Sequence, residues 1–338
     1  MKNIAWILPG LALATVIGCS GDKDSGDATG DGGGDGGTGA CEVEIGTTFP
    51  VDGETSAYYR TTVDFKLSAE DPDGTPSIML AGPSGDVAGT TTVSDDGKTV
   101  TFTPSGALDS GATYTATIDF CRGQDSISFT TSSLGAPLTA SIDGKAYKVD
   151  LGGADFVQPA GVADLLLGQL ENDILLGVVS SSPNLQIIGA ISMDGVSDQD
   201  MCNETIDFPA ADFSDSPYFQ IGPQDTTISV AGFNVDILQL AISGTFAADG
   251  SYFGGGTLAG ELDARLLAPL VGDLLGTTDP DEICGVVAGF GVSCQACSSD
   301  GAAYCLEVYV RDITATELGT PIVVRTTADI DADPTCAE

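Results

Sequence analysis

Four cysteines fall within residues 284–305, CGVVAGFGVSCQACSSDGAAYC, and the 338-residue chain contains nine in all but no histidine. No other feature limits the fold so tightly. Cysteines this close end as a metal site, a redox pair or disulfide staples, and each outcome imposes its own geometry on the backbone. Zinc needs paired C-x-x-C knuckles or histidine partners. The chain offers that spacing at Cys294–Cys297 alone, and no imidazole. A redox C-x-x-C opens a helix after a strand, where the dipole lowers the thiol pKa. This one runs into Ser298-Ser299-Asp300-Gly301, a turn sequence. Staples remain, provided the compartment is oxidising.

The N-terminus speaks to the compartment. Lys2 is followed by a short apolar run, residues 4–18, too brief to span a bilayer and suited to a secretory signal. The run ends in Val16-Ile17-Gly18-Cys19, an aliphatic residue three before a cysteine and a small residue just before it. This resembles the lipobox of bacterial lipoproteins. The resemblance implies removal of residues 1–18, a diacylglycerol thioether on Cys19 and acylation of its new amine, for example with palmitate. Two or more acyl chains anchor a protein stably where one does not. Ser20 in place of aspartate after the cysteine implies, by the family's sorting rule, the outer membrane, facing either the periplasm or the exterior.

Residues 19–40, CSGDKDSGDATGDGGGDGGTGA, hold almost nothing to bury and are expected to form a disordered Gly/Asp-rich tether. The G-x-G-x-x-G and S-x-x-K matches inside this segment lack the flanking strand and helix that give such motifs their chemistry. Charge is lopsided throughout: 11 Lys and Arg stand against 49 acids, 38 of them Asp, for a net charge of −38. Nucleic acid is excluded as a partner. Aspartate favours turns and caps, so with 45 glycines its excess predicts a loop-rich, mainly β protein.

Short alternating runs at Thr61–Leu67, Thr99–Thr103, Tyr114–Phe120 and Ser126–Thr130 predict a small sandwich over residues 41–133. Phe49-Pro50-Val51-Asp52-Gly53, then DDGKTVTFTP at 95–104, Leu108, Gly111, Tyr114 and Phe129-Thr130-Thr131 are similar to bacterial Ig-like domains of surface and S-layer-associated proteins. The resemblance implies a seven-stranded sandwich with Tyr114 as a tyrosine corner. It also implies that Cys41, starting the first strand, and Cys121, ending the sixth, lie at one pole and can pair. In the chain-entropy model such a bond adds about 4 kcal/mol.

After Ser132–Pro137, taken as a hinge, residues 138–338 are long enough for a second core. A strand pair is expected over Leu138–Val149, turning at Asp143-Gly144, with strands at 174–180, 185–193, 227–230, 235–246, 255–264, 306–313 and 321–326. Helices are expected at 161–171, at 266–275 and around Cys284, the last capped by Asp281 and Glu282. The expected fold is an antiparallel β barrel or sandwich with two or three short helices, stapled by disulfides. Removing Cys19 from the count leaves an even eight: Cys41, Cys121, Cys202, Cys284, Cys294, Cys297, Cys305 and Cys336. The last six allow fifteen arrangements, which sequence alone does not separate. The expectation adopted is Cys284–Cys294, Cys297–Cys305 and Cys202–Cys336.

Without histidine there is no Ser-His-Asp or Cys-His nucleophile, and G-x-S-x-G does not occur. No catalytic residue, metal ligand or cofactor is assigned. The group Glu261, Asp263, Arg265 is expected as a charged face toward solvent, and the acidic loops 70–74 and 329–333 as Asx-type turns. The sequence therefore favours a non-catalytic, lipid-anchored envelope protein in which the Ig-like module spaces a binding or scaffolding domain, with envelope proteins or glycans as partners. The alternative is a carboxylate-based envelope enzyme acting on glycans.

Mass spectrometry of the membrane-extracted N-terminus should find an acylated Cys19, and the processed protein should show no tryptophan fluorescence, since Trp6 is the one tryptophan. An unmodified N-terminus elsewhere overturns the lipobox reading.

Overall fold

The computed structural model describes residues 41–72, 74–159, 172–230, 233–266, 276–289 and 292–336. The signal, Cys19, the tether, the helix expected at 161–171 and, apart from Leu266, the helix expected at 266–275 lie outside the described residues. No described helix is long and apolar enough to cross a membrane.

The first layer pair is a sandwich built from β1 (Ile45–Phe49), β2 (Val63–Leu67), β3 (Ser77–Gly82), β4 (Gly85–Asp86), β5 (Gly89–Val93), β6 (Thr99–Pro104), β7 (Thr113–Phe120) and β8 (Gly123–Thr130). One sheet runs β1-β2-β6-β5 and the other β4-β3-β7-β8, with antiparallel neighbours throughout. Alternation explains the packing. Val63, Phe65 and Leu67 from one sheet meet Tyr114, Ala116, Ile118 and Phe129 from the other, all buried. The outward positions of β7 and β8 carry hydroxyls that pair across the strands, Thr113 with Thr130, Thr115 with Ser128 and Thr117 with Ser126. The Tyr114 hydroxyl accepts the Asp109 backbone N–H at 2.7 Å, the tyrosine-corner bond. Cys41 and Cys121 are joined, their Cα atoms 5.7 Å apart.

The second body is one antiparallel sheet, nearly closed into a barrel. It comprises β9 (Ala146–Asp150), β10 (Asp155–Gln158), β11 (Ile174–Ser180), β12 (Gln186–Ile191), β13 (Ile206–Asp207), β14 (Tyr218–Val230), β15 (Phe233–Phe246), β16 (Tyr252–Asp263) and β17 (Cys305–Leu318). Its order is β13-β12-β11-β9-β17-β16-β15-β14, with β10 also on β17. Tyr147, Phe219, Phe246 and Phe253 fill the interior with ring centroids 4.8–5.9 Å apart. Each buried ring contributes roughly 2–3 kcal/mol. A satellite core of Ala264, Ile283, Val287, Val292 and Leu306 sits under α1 (Pro280–Ala288), and a short α2 (Thr327–Asp331) follows near the C-terminus. Cys284–Cys294 and Cys297–Cys305 staple this satellite, and Cys202–Cys336 fastens the C-terminal segment to the loop after β12.

Three local expectations are corrected. The Asp143-Gly144 turn exists, but residues 138–142 do not pair back on β9. Thr139 instead donates to the Ala248 carbonyl, and β9 lies between β11 and β17. Pro321–Thr326 is not a strand. Its backbone is held mainly by side chains, Gln199 bonding both the N–H and the C=O of Val323 and the Thr205 hydroxyl accepting from the Arg325 N–H, with one backbone bond from the Thr205 N–H to the Arg325 carbonyl. The cap of α1 is Asp279, whose carboxylate accepts from the Asp281 N–H, while Asp281 and Glu282 occupy the first turn.

Sandwich and barrel pack together through Tyr58-Tyr59-Arg60. The Tyr58 hydroxyl bonds the Thr245 hydroxyl at 2.8 Å, and Thr245 also donates to Tyr59. Arg60 pairs with Asp215 and lies 3.9 Å from the centroid of the Tyr218 ring. Leu134, in the segment taken as a hinge, and Ala247 of the barrel join the sandwich core. Arg60→Ala leaves both cores intact and should weaken this contact by about 1–2 kcal/mol, nearly all of it from the lost ring stacking and hydrogen bonds rather than the exposed ion pair. Denaturation followed at the sandwich and at the barrel should then give two separate transitions. A single transition at the wild-type midpoint would remove the role assigned to Arg60.

Candidate functional site

The group Glu261, Asp263 and Arg265 does not face solvent as expected. Asp263 is buried, and Arg265 grips it through Nε and Nη2 while reaching Asp300 with Nη1 at 2.7 Å. Donating these hydrogen bonds, first to Asp263 and then to Asp300, raises the Arg265 pKa further, and the Arg265 contact lowers that of Asp300. Glu261 accepts from the Ser298 N–H at 2.9 Å. The three residues thus hold the stapled 295–305 loop. Asp263 also lies beside the sulfurs of Cys297 and Cys305, but those are bonded to each other and the carboxylate is engaged, so the group has no free ligand to offer a metal. Among the acidic loops, Asp71 accepts from the Cys121 N–H at 3.3 Å, Asp329 closes the capping box of α2 with Thr326, and Asp333 pairs with Arg325.

Among the described residues, three of the clefts offer room for a ligand. The seam between β13 and β14, about 360 Å³, contains Glu204, Asp207 and Asp225. All three are engaged, Glu204 by the Thr327 hydroxyl, Asp207 by Gln186 and Asp225 by the N–H groups of Gln239. A recess of about 320 Å³ on β16 and β17 sets Glu261 directly across from Glu307, beside Gln239 and Tyr309. The third cleft, about 330 Å³, opens between sandwich and barrel.

In this third cleft Phe49 and Tyr58 stand on the sandwich side, Tyr252 and Asp312 on the barrel side. The wall is tight, because Gly255, at φ +57°, passes so close to Tyr58 that a Cβ there would lie 2.2 Å from the ring. Glu54 also lines the cleft but accepts from the Val51 N–H. Asp312 has no hydrogen bond or ion pair among the described residues. It adopts φ +58°, a conformation uncommon outside glycine though tolerated by Asp and Asn. Its neighbour Arg311 is neutralised by Asp155 at 2.7 Å and lies 5.3 Å from the centroid of the Phe49 ring. The Asp312 side chain reaches solvent, yet the surrounding protein withdraws enough water to raise its pKa; Arg311 opposes the shift and Asp155 adds to it.

Asp312 was not singled out from the sequence, although a signal exists. Buried Val308 and Val310 are followed by buried Ile313 and Ala315, so the alternation slips by one residue at Arg311-Asp312. The pairing slips with it, Leu258 facing Val310 and Gly256 facing Ile313, three residues on β17 against two on β16. That is a β-bulge, a device that re-aims a side chain.

A carboxyl whose pKa is raised in the fold opposes folding when ionised, and the penalty is relieved as pH falls through that value. Asp312→Asn keeps the backbone tolerance and removes the charge. It should raise Tm at pH 7 by on the order of 1–3 °C, with the gain shrinking as pH falls toward about 4 and vanishing about a unit below that, where the carboxyl is protonated in both states. A lower Tm at pH 7 would show that the carboxylate stabilises the fold.

No curated protein matches the chain. Solved structures similar to parts of it include the copper resistance protein PcoC from Escherichia coli, with 16% identity over 26% of this chain and 99% of that one, at a TM-score of 0.23. CopC from Methylosinus trichosporium OB3b is similar at 14% identity over 27% and 94%, also at 0.23. The N-terminal part of the bacterial S-layer protein SbsC is similar at 16% identity over 50% and 44%, again at 0.23. Residues 41–131 match the model of a family described as the bacterial Ig-like domain, so the sandwich is an Ig-like domain by both its fold and its sequence.

Proposed function

We propose that the chain is a non-catalytic lipoprotein of the outer membrane, anchored through Cys19, in which the Ig-like domain carries a barrel that binds an envelope partner. Residues 20–40 serve as the tether. A Gly-rich segment of that length spans roughly 25 Å as a coil and at most about 70 Å extended. The binding part rests on the cleft between sandwich and barrel, which joins aromatic walls to one unengaged carboxylate. One free carboxylate suits ligand binding, whereas hydrolysis of a glycosidic bond needs two acting together.

The second reading, glycan hydrolysis, is favoured by the Glu261–Glu307 pair, since like charges directly across a ladder are destabilising and need a reason. Against it, Glu261 already accepts from Ser298.

Cell fractionation tests the proposal. The native protein should enter the membrane fraction and Cys19→Ala should leave it, while the extracted protein releases no sugar from envelope glycans. Membrane retention of Cys19→Ala overturns the anchor. Hydrolysis that is lost in Glu307→Gln puts the enzyme reading first.

A further inference from the structure

We propose that the cleft between the Ig-like domain and the barrel binds a protonated primary amine, its ammonium held by the Asp312 carboxylate and its alkyl chain laid along Phe49, Tyr58 and Tyr252. This rests on the reading of the chain as a binding protein and names the chemistry of its ligand.

Charge gives the first argument. The charged residues lining the cleft are Glu54 and Asp312, and no lysine or arginine is among them. Arg311, the cation beside Asp312 and against the Phe49 ring, is matched by Asp155. With Glu54 included, the local balance of Asp155, Arg311, Glu54 and Asp312 is two negative charges, and a bound ammonium offsets one. A neutral ligand leaves the Asp312 charge in the cleft uncompensated.

The walls give the second. Aromatic faces attract cations through their quadrupoles, and the protein already uses Phe49 this way, with Arg311 against its ring. Phe49, Tyr58 and Tyr252 bring three rings to one cleft, and the Tyr58 hydroxyl is turned away to Thr245, leaving its ring as an apolar wall. A lysine-like side chain has the matching form, an apolar stem with a charged end.

Backbone conformation gives the third. The bulge in β17 sets Asp312 at φ +58°, with no hydrogen bond or ion pair among the described residues. A strained residue carrying an unpaired charge is a combination found at ligand sites. Calcium fits poorly, because it takes six to eight oxygens and the cleft supplies one free carboxylate among aromatic walls.

The test is a titration of the full mature protein in detergent with n-butylammonium, read by NMR of isotope-labelled tyrosine and phenylalanine rings. The expected result is a saturable shift of Tyr58 and Tyr252 in the millimolar range, weakened about tenfold or more in Asp312→Asn, as loss of a charged hydrogen bond implies. A Tm for Asp312→Asn no lower than wild type shows that the variant is folded. A blocked lysine amide binding more tightly than cadaverine identifies a polypeptide as the source, and the reverse order a free diamine; either result supports the site. Absence of a saturable shift at tens of millimolar, or equal binding by Asp312→Asn, overturns the proposal. So does a stronger response of the same rings to calcium or to a neutral oligosaccharide. Membrane anchoring is measured separately through Cys19, so failure of this titration leaves that reading standing, and loss of the anchor leaves the titration unaffected.

Discussion

The approach of Gly255 to Tyr58 is the contact on which the arrangement of the molecule depends. A strand at the barrel surface can pass this close to a ring only where it lacks a Cβ, and the positive φ makes the position doubly selective for glycine. Tyr58 at that depth places its hydroxyl on Thr245, brings Tyr59 and Arg60 onto the barrel, and leaves Phe49 and Tyr252 facing across a gap. The cleft follows from the docking. Any larger residue at 255 pushes the two layers apart, and the aromatic wall ceases to be continuous.

Much of the fold was legible because one-sided burial imposes a period of two. β2, β6 and β7 alternate cleanly, as does β8 from Ser126 onward, and all four were expected near where they occur; β8 starts at Gly123, three exposed residues earlier than expected, and the Ig-like character of residues 41–131 was visible in the turns between them. β3 was harder to read, since Met79 is exposed at an outward position and hides the alternation. β5, GTTTV, has no buried residue to announce it. Pro321–Thr326 carries strand-like apolar residues, but no neighbouring strand supplies a ladder. Val323 and Val324 remain exposed, and Gln199 and Thr205 act as the missing partners. Pattern reports what a segment can do, and its neighbours decide.

The site was less legible than the fold. Its parts come from four separated stretches, around Phe49, Tyr58, Tyr252 and Asp312, and nothing in their spacing announces a common cleft. The acids misled by abundance. Among 49 carboxylates, those that looked clustered, such as Asp263, Asp329 and Asp333, close caps and ion pairs, while Asp312, without a hydrogen bond or ion pair among the described residues, lies in a strand. In a chain this acidic, partner geometry separates a carboxylate that closes a cap or an ion pair from one left open, and residue type does not. Disulfide bonding was more visible, since an even set of cysteines without histidine leaves few other outcomes.

The Cys41–Cys121 bond sits where the described body begins, and this gives the molecule a mechanical property. A pull arriving at residue 41 would otherwise peel β1 from β2 one hydrogen bond at a time, the weakest way to load a sheet. The bond diverts part of that force to the end of β7, in the opposite sheet and flanked by β3 and β8. Load is therefore shared between both layers of the sandwich from the first ångström of extension. The sandwich is clipped at its N-terminal edge, and traction arriving at Cys41 strains a covalent loop before it can unravel a strand.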